Sequence, residues 1–414
     1  MKSLLIRIGK ALDVLKRDGI LAGGKRILGY LAVFLKNIFG VASGDILIIT
    51  SGVGDSALYR AHNQAEELRF HGFCVSVTMS DNPFLAGMAK KFKVFIFHRT
   101  MYAAVSTLIV KVKENGGEII FDTDDLVFDA KYVHMTDHYR NMSELEKKQY
   151  EKGVGEEIVK DPYVKTCVAS TRFLASKLEE YPARNATPAR NASQIEAGGH
   201  SVAGGGKKVF VSTNKLSENW MEMAEKILKD EKQNKEKVRL GYFSGTIGHN
   251  KDFSTISDAL VEILEKYPQA EIFLAGPLEL EEKFEKYAGR IIRSGYVPRE
   301  KHFENISRCD IILAPLERDD FSEGKSELKF SEAGIVAVPT VAVRNQTFSD
   351  AIADGENGFL AEGKEEWILK LEKLITDEKL RKEMGKKARE KTLADYTTKN
   401  SHNEEYYNYL KSKL

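Results

Sequence analysis

The sequence contains few cysteines and no apolar run long enough to cross a membrane. Its 414 residues include three cysteines, Cys74, Cys167 and Cys309, which are widely spaced and form no Cys-x-x-Cys pair. A disulfide framework or a zinc site requires closer, paired cysteines. Three separate thiols instead indicate a reducing cytoplasm. Because a membrane-spanning helix needs about 20 consecutive apolar residues, a polytopic membrane protein is excluded.

An excess of either charge is also absent. Lys+Arg number 62 and Asp+Glu 61, which leaves a formal net charge of +1. Nucleic-acid-binding proteins usually show a strong basic excess, so we expect no nucleic-acid partner. Hydrophobic residues make up 42 % and charged residues 30 % of the chain, which is typical of a soluble globular protein. At this length two domains are expected.

The N-terminal segment, residues 1–40, departs from this charge balance. It holds eight basic and two acidic residues, so its charge is +6 and the rest of the chain carries −5. Leu4, Ile8, Leu12 and Leu15 recur at helical spacing. The pattern predicts a basic amphipathic helical arm, which suits the anionic cytoplasmic leaflet of a membrane. The alternative is a helix that packs on its own domain or on a partner subunit.

Alternating strands and helices predict two α/β halves joined near residues 212–237. The predicted strands cover 45–50, 73–79, 93–98, 118–122, 165–170 and 207–212 in the first half, and 238–243, 271–275, 309–314 and 338–343 in the second. Strands separated by helices indicate parallel βαβ units. We therefore predict a Rossmann-like N-terminal domain over 41–212 and a Rossmann-like C-terminal domain over 213–395. Because ligands bind outside the carboxyl ends of such strands, we expect the site in a cleft between the two sheets. A six-residue direct repeat at 182–193 predicts a surface loop.

A glycine-rich turn follows the first predicted strand. Gly52, Gly54 and Ala57 fit the Gly-x-Gly-x-x-Gly/Ala pattern of dinucleotide-binding turns. Glycines allow a phosphate or a sugar to approach the backbone closely, and a helix N-terminus favours anions. The alternative is structural, because glycines also serve to reverse the chain.

Two further strand ends in the first half carry chemically active side chains. Asp122, Asp124 and Asp125 lie at the end of the strand at 118–122. Alternate strand residues share a face, so Asp122 and Asp124 could hold a divalent cation or supply a base. A helix N-cap is the alternative. His98 ends the strand at 93–98 beside an arginine, where it could meet a sugar or a phosphate.

The largest group of candidates lies in the second half. The turn after the strand at 238–243 contributes Gly245, Thr246, His249 and Lys251. A glycine turn with basic side chains suits a diphosphate. Lys325, Ser326, Lys329 and Glu332 follow in a helix predicted over 325–336. Spacings of i, i+4 and i+7 place Lys325, Lys329 and Glu332 on one face, where the lysines would hold phosphate and the carboxylate would accept ribose hydroxyls. The alternative is a solvated, salt-bridged helix face.

Taken in order along the chain, these motifs resemble those of retaining GT-B glycosyltransferases, the family-4-like group that uses nucleotide diphosphate sugars. The resemblance covers residues 45–395. The matching residues are Gly52-Val53-Gly54 with Tyr59-Arg60, the Asp122–Asp125 cluster, Ser244-Gly245 through His249 with Lys251-Asp252, Gly276-Pro277, Lys325-Ser326, Lys329, Glu332-Ala333, Pro339, and Asp354 through Phe359.

This resemblance implies a GT-B fold, with a tail at 396–414 that returns to the N-terminal domain. It implies a hexosyltransferase-type enzyme that transfers a sugar, with retention, from a nucleotide diphosphate sugar to a glycan or lipid-linked acceptor. Cell-surface polysaccharide or glycoconjugate synthesis would be its pathway, and the cytoplasm or the inner face of the membrane its location. No metal or other cofactor is expected.

The resemblance also implies roles for individual residues. Glu332 would accept the donor ribose hydroxyls, and Lys251 and Lys329 would hold the diphosphate, where positive charge stabilises the departing nucleotide. The candidate catalytic residues are His98, Asp124, Asp125 and Lys329. The candidate donor-binding residues are Gly52, Gly54, Gly245, Thr246, His249, Lys251, Lys325, Ser326, Lys329 and Glu332.

Two other classes of function stay open. A nucleotide-cofactor oxidoreductase would use the turn at 52–57, but Asp81 comes late for the ribose-binding acid, and Lys325–Glu332 would have no role. A non-catalytic sugar-binding scaffold on the same fold is suggested by Gly324, since the family commonly has a glutamate eight residues before the position of Glu332.

Overall fold

The computed structural model describes residues 9, 12, 14–16, 19–134, 139, 142, 144–151, 153–181, 206–229, 236–245, 250–295 and 297–414. Its contacts divide the chain into two compact units. The first comprises Met1–Ser170, Leu174–Ser212 and Asn403–Leu414, and the second comprises Thr171–Phe173 and Thr213–His402. The repeat at 182–193, for which a surface loop is predicted, lies outside the described residues. None of the helices in the described part of the chain has the length and hydrophobicity that a membrane-crossing segment requires.

A parallel six-stranded sheet forms the centre of the first unit. Its strands are β1 (Ile46–Thr50), β2 (Val75–Met79), β3 (Val94–His98), β4 (Glu118–Thr123), β5 (Thr166–Ala169) and β6 (Lys208–Val211), in the order β2-β1-β3-β4-β5-β6. Every residue of β1 and β3 is buried, as expected for strands that helices cover on both faces. The strand order reverses between β1 and β3. Doubly wound sheets bind ligands at such a switch point.

Helices of several types surround this sheet. They are Ile20–Phe39, Asp55–Ala57, the π-helix Leu58–Asn63, Gln64–Phe70, the 3-10 helix Leu85–Met88, Tyr102–Glu114, the 3-10 helix Leu126–Phe128, Ala130–Val133, Glu144–Tyr150, Glu156–Val159, Arg172–Glu179 and Glu404–Lys411. The helical pattern predicted after Gly54 is therefore one helical stretch with a π-helical middle. Such π-helical segments occur frequently at functional sites.

The C-terminal helix Glu404–Lys411 belongs to the first unit. Tyr406, Tyr407 and Leu410 are buried in its core, and the Tyr407 hydroxyl donates to Glu67 at 2.6 Å. The sequence placed the start of this tail at residue 396, whereas the contacts place it at Asn403. Residues before 403 stay with the second unit because Tyr396 is part of its core and Thr397 pairs with Leu216 in a short parallel bridge.

The second unit also contains a parallel six-stranded sheet. Its strands are β7 (Val238–Phe243), β8 (Ala270–Ala275), β9 (Ile291–Ser294), β10 (Ile311–Ala314), β11 (Thr340–Val343) and β12 (Phe359–Ala361), in the order β12-β11-β10-β7-β8-β9. Counted from β7, this is the 3-2-1-4-5-6 order of Rossmann folds, read from the other edge. Its switch point lies between β7 and β10.

Ten helices flank this second sheet in the described residues. They are Glu218–Lys229, Asn250–Ser254, Ser257–Lys266, the 3-10 helix Glu282–Arg290, Arg299–Ser307, Asp320–Glu323, Leu328–Ile335, Gln346–Ala351, Gly363–Thr376 and Glu378–Asp395. The helix predicted to begin at 325 begins at Leu328. Lys325 and Ser326 therefore precede it, and only Lys329 and Glu332 of the predicted group share a helix face.

Candidate functional site

A cluster of polar side chains lies at the switch point of the first sheet. This His98 cluster consists of Thr50, Ser56, His98, Arg99 and Asp124. Parallel pairing sets Thr50 opposite His98 at the ends of β1 and β3. The His98 ring lies 3.1 Å from the Thr50 hydroxyl through Nδ1 and 3.2 Å from the Ser56 hydroxyl through Nε2. The Ser56 hydroxyl donates to Asp124 at 2.6 Å, so strand ends and the helix after Gly54 converge on one imidazole.

The Ser56 hydroxyl links Asp124 to His98 in this cluster. Because the Ser56 hydroxyl gives its proton to Asp124, its oxygen can accept from His98 Nε2–H. Burial opposes ionisation of Asp124, but Arg99, His98 and Ser56 together outweigh it, and the pKa of Asp124 lies well below its ordinary value. Asp124 is thus a firmly ionised acceptor beside a buried imidazole.

Arg99 adopts a backbone conformation that is unusual for its residue type. Its φ is 48°, in the left-handed region, which costs a residue with a side chain about 1–2 kcal/mol. The guanidinium lies beside the cluster, with Nη1 3.4 Å from Asp124. Local strain of this kind concentrates at functional sites.

The other two acidic candidates of the first unit have structural roles. Asp122 is fully buried, and both its oxygens accept from Arg60, from Nε at 3.0 Å and from Nη2 at 2.5 Å. The expectation that Asp122 joins Asp124 in holding a cation or supplying a base is therefore wrong, because Arg60 occupies its carboxylate. Asp125 accepts from the Leu126 N–H at 2.9 Å and caps the 3-10 helix there, which is the capping alternative.

The glycine turn of the first unit leaves open space. Neither Gly52 nor Gly54 has a positive φ. A Cβ on Gly54 would meet nothing within 4 Å, and a Cβ on Gly52 would meet only the Gly54 nitrogen at 4.0 Å. Neither backbone strain nor packing therefore requires glycine here, which favours the interpretation that a ligand approaches the backbone.

A second cluster lies around Glu332 in the second unit. We define the Glu332 cluster as Tyr242, Arg299, His302, Lys329 and Glu332. The two carboxylate oxygens of Glu332 accept from Arg299 Nη1 at 2.8 Å and bond to His302 Nε2 at 3.1 Å. Arg299 stacks on Trp220, 5.2 Å from the ring centroid. The two basic residues lie on the helix after β9 and hold the carboxylate in one orientation.

Lys329 is the charged residue of this cluster that forms no ion pair with any described residue. Its Nζ lies 5.9 Å from the ring centroid of Tyr242, a cation–π distance. Burial lowers the pKa of Lys329 below its ordinary value, and the carboxylates of Asp252 and Glu332 offset only part of that effect. A half-buried ammonium of this kind gains from an anionic ligand.

The strand ends of the second sheet approach one another closely. Gly276, after β8, has a φ of 86°, and a Cβ there would overlap the carbonyl oxygen of Ser244. Asp252 accepts from the Glu317 N–H at 2.9 Å and so ties the turn after β7 to the segment after β10. These contacts fix the backbone on both sides of the switch point.

The remaining candidates fall into two groups. Lys325 stacks on Phe321 at 4.1 Å and the Ser326 hydroxyl accepts from Asn214 at 3.1 Å, so both have contacts outside the Glu332 cluster. Gly245 and Lys251 are exposed on either side of the turn after β7. Thr246 and His249 lie outside the described residues. The candidates predicted from the sequence did not include Ser56, Arg299 or His302, although Ser56 lies within the glycine-rich turn at 52–57.

A comparison with known protein families matches part of the second unit. Residues 222–391 match the family model of glycosyl transferases group 1. The match extends from helix Glu218–Lys229 to helix Glu378–Asp395 and so includes the whole Glu332 cluster. No curated protein matches the chain with significant similarity.

Solved structures resemble most of the chain. A glycosyltransferase from Rickettsia africae has a TM-score of 0.57 at 15 % identity and covers 90 % of this chain and 100 % of its own. HepE from Anabaena in complex with UDP has a TM-score of 0.56 at 12 % identity, covering 89 % and 100 %. Sucrose-phosphate synthase from Thermosynechococcus elongatus has a TM-score of 0.54 at 12 % identity, covering 85 % and 95 %. These likenesses confirm the predicted fold class, two Rossmann-like domains of the GT-B type.

Proposed function

We propose that this protein is a retaining glycosyltransferase that moves a sugar from a nucleotide diphosphate sugar to a glycan or lipid-linked acceptor. One observation carries the proposal. Lys329, a half-buried ammonium without an ionic partner among the described residues, lies one helical turn before Glu332 in the segment that matches glycosyl transferases group 1. The pair offers a cation for phosphate and a carboxylate for sugar hydroxyls.

In this proposal the second unit binds the donor. Lys329 holds the diphosphate and stabilises the negative charge that develops on it as the sugar–phosphate bond breaks. Glu332, kept in place by Arg299 and His302, accepts the ribose hydroxyls. UDP is the first nucleotide to consider, because HepE was solved with UDP. Lys329 supplies the positive charge that a metal ion provides in other transferases, which supports a reaction without a metal.

The first unit would bind the acceptor. The His98 cluster offers an imidazole, a hydroxyl and a firmly ionised carboxylate, all suited to sugar hydroxyls. In the transfer step the acceptor oxygen forms the glycosidic bond, the sugar–phosphate bond breaks, and the acceptor proton passes to the departing phosphate oxygen. We also propose that the transferred sugar is a hexose and that the enzyme acts in cell-surface polysaccharide or glycoconjugate synthesis. Its place would be the inner face of the membrane.

Nucleotide binding tests the donor site. Calorimetric titration of the full chain with UDP, GDP and TDP should identify one nucleotide that binds. The variant Lys329→Met should weaken its binding by about 1.5–3 kcal/mol, the strength of hydrogen bonds to charged groups. Glu332→Ala should weaken it by about 1–3 kcal/mol for the same reason.

A matched control is Lys364→Met, which removes an exposed lysine of the same unit that pairs with Glu262. It should leave nucleotide affinity unchanged. Unchanged affinity in Lys329→Met would overturn the donor site. Stabilisation of the chain by NAD(P) in place of these nucleotides would favour an oxidoreductase. Binding without slow hydrolysis of any nucleotide sugar would favour a sugar-binding scaffold.

A further inference from the structure

The helix Ile20–Phe39 has an outward face that is apolar. Six of its large apolar residues are 44 % to 91 % exposed: Ile20, Leu21, Leu28, Leu31, Leu35 and Phe39. At about 100° per residue, these positions fall within an arc of about 100° on one side of the helix. Together they form what we call the outward face. A continuous exposed apolar stripe on a protein surface usually marks an interaction site.

The C-terminal end of this helix is fixed to the first unit. Asn37 and Ile38 are buried, and their carbonyl oxygens accept from Thr78 Oγ1 at 2.8 Å and Asn82 Nδ2 at 3.1 Å. The Asn37 amide also lies 3.3 Å from His62 Nε2. On the helical projection Asn37 lies about 150° from the centre of the apolar arc, whereas Ile38 lies at its edge. The Asn37–His62 contact would therefore break if the outward face turned inward.

The apolar surface continues beyond the helix. Phe84, which precedes the 3-10 helix Leu85–Met88, is 58 % exposed, and its ring centroid lies 6.3 Å from that of Phe39. Two exposed aromatic rings from separate segments thus extend the stripe at the C-terminal end of the helix. The result is a surface made by the fold rather than by one helix alone.

The charge around this surface points to its partner. Helix Ile20–Phe39 contains Lys25, Arg26 and Lys36 and no acidic residue. Lys25 and Lys36 fall beside the apolar arc on the helical projection. The whole segment 1–40 carries +6 while the rest of the chain carries −5. Apolar residues bordered by lysine are the pattern by which a helix lies in the interface of an anionic bilayer.

We propose that the outward face, with Phe84, lies on the surface of a membrane that contains anionic lipids. Leucine and phenylalanine side chains enter the boundary between headgroups and acyl chains, and Lys25 and Lys36 contact lipid phosphates. This places the first unit at the lipid surface. The proposal rests on the membrane location in the proposed function but not on its donor site, because none of its residues belongs to the Glu332 cluster.

Vesicle binding tests this proposal on the full chain. The protein should sediment with vesicles of phosphatidylcholine and phosphatidylglycerol, bind less to phosphatidylcholine alone, and be released by added salt. The double variant Leu28→Ser/Leu31→Ser should lower the partition coefficient by about tenfold for each leucine removed. Lys25→Glu/Lys36→Glu should remove the preference for anionic vesicles.

The matched control is Leu369→Ser, because Leu369 in the second unit is 49 % exposed and Leu31 is 47 % exposed. It should bind vesicles like the unaltered chain. Failure of the unaltered chain to bind either vesicle would overturn the proposal. A dimer in light scattering without lipid that Leu28→Ser/Leu31→Ser dissociates would also overturn it, since the face would then hold a second copy. Nucleotide titration of the same variants should be unchanged, which separates this test from that of the donor site.

Discussion

The two units differ in how they satisfy the charges at their switch points. In the His98 cluster, Asp124 contacts Arg99, His98 and Ser56, and behind it Asp122 is paired with Arg60. In the Glu332 cluster the carboxylate is paired, but Lys329 forms no ion pair within the described residues. The first unit therefore offers balanced hydrogen-bonding groups, which suit neutral hydroxyls. The second offers a cation that nearby carboxylates only partly offset, which suits phosphate.

Breaking the internal pairing of the first unit should have the largest effect. Arg60→Met leaves the Asp122 carboxylate buried without its partner, and Arg60 Nη1 also donates to the Ser212 carbonyl oxygen at 2.5 Å. We expect a loss of about 3–5 kcal/mol in the free energy of unfolding. Both tryptophans, Trp220 and Trp367, are buried in the second unit. Circular dichroism should therefore show that the first unit of the variant unfolds at a lower denaturant concentration than in the unaltered chain. Tryptophan fluorescence reports the unfolding of the second unit separately.

The control for Arg60→Met is an exposed pair of the same chemistry. Arg318 and Glu362 lie 2.7 Å apart with side chains 61 % and 52 % exposed, and Arg318→Met should cost less than about 1 kcal/mol. Similar losses in the two variants would mean that the Arg60–Asp122 pair contributes no more than a surface contact.

The strands were the part of the fold that the sequence predicted well. All ten predicted strands are present, each within two residues at either end. The two that were missed are β9 and β12. β12 has three residues, too few for an alternating pattern, and β9 is an edge strand with exposed Arg293. Long buried apolar runs can be recognised along the chain, whereas short or edge strands depend on neighbours that the sequence does not identify.

Acid should also affect the first unit selectively. Burial, with Lys36 and Arg69 nearby, lowers the pKa of His62 from 6.5 to about 4. The unfolded chain takes up this proton near pH 6.5 and the folded chain only near pH 4, so stability falls as the pH drops through that window. We expect a loss of about 3 kcal/mol from this group. His62→Gln should flatten the dependence, as measured by denaturant unfolding at each pH.

The matched control is His402→Gln, which removes an exposed histidine of the second unit. Its pH dependence should equal that of the unaltered chain. If the free energy of unfolding of His62→Gln fell with pH as steeply as that of the unaltered chain, the acid sensitivity would belong to other groups.

The sites were predicted unevenly for a related reason. His98 and Asp124 were predicted as candidates because each lies at the end of a predicted strand. The partner of Asp122 was missed because Arg60 lies 62 residues earlier, on a π-helix. Arg299 and His302 were missed because their partner, Glu332, lies 33 and 30 residues later in the chain. Strand ends can be read from local pattern, but the charge that neutralises a buried group depends on tertiary packing.

The smallest predicted effect is a gain in the free energy of unfolding, expected for a variant of Lys329 in the second unit. Lys329→Met removes an ammonium whose pKa burial has lowered, and it keeps an apolar chain of similar length against Tyr242. Without nucleotide, the free energy of unfolding should rise by about 0.5–2 kcal/mol, as stabilising changes at functional sites commonly do. With excess nucleotide the unaltered chain should become more stable than Lys329→Met, because nucleotide stabilises only the chain that binds it. Thermal unfolding with and without UDP measures both. A loss of stability as large as that in Arg60→Met would instead make Lys329 part of the structural framework, and the second unit would no longer differ from the first.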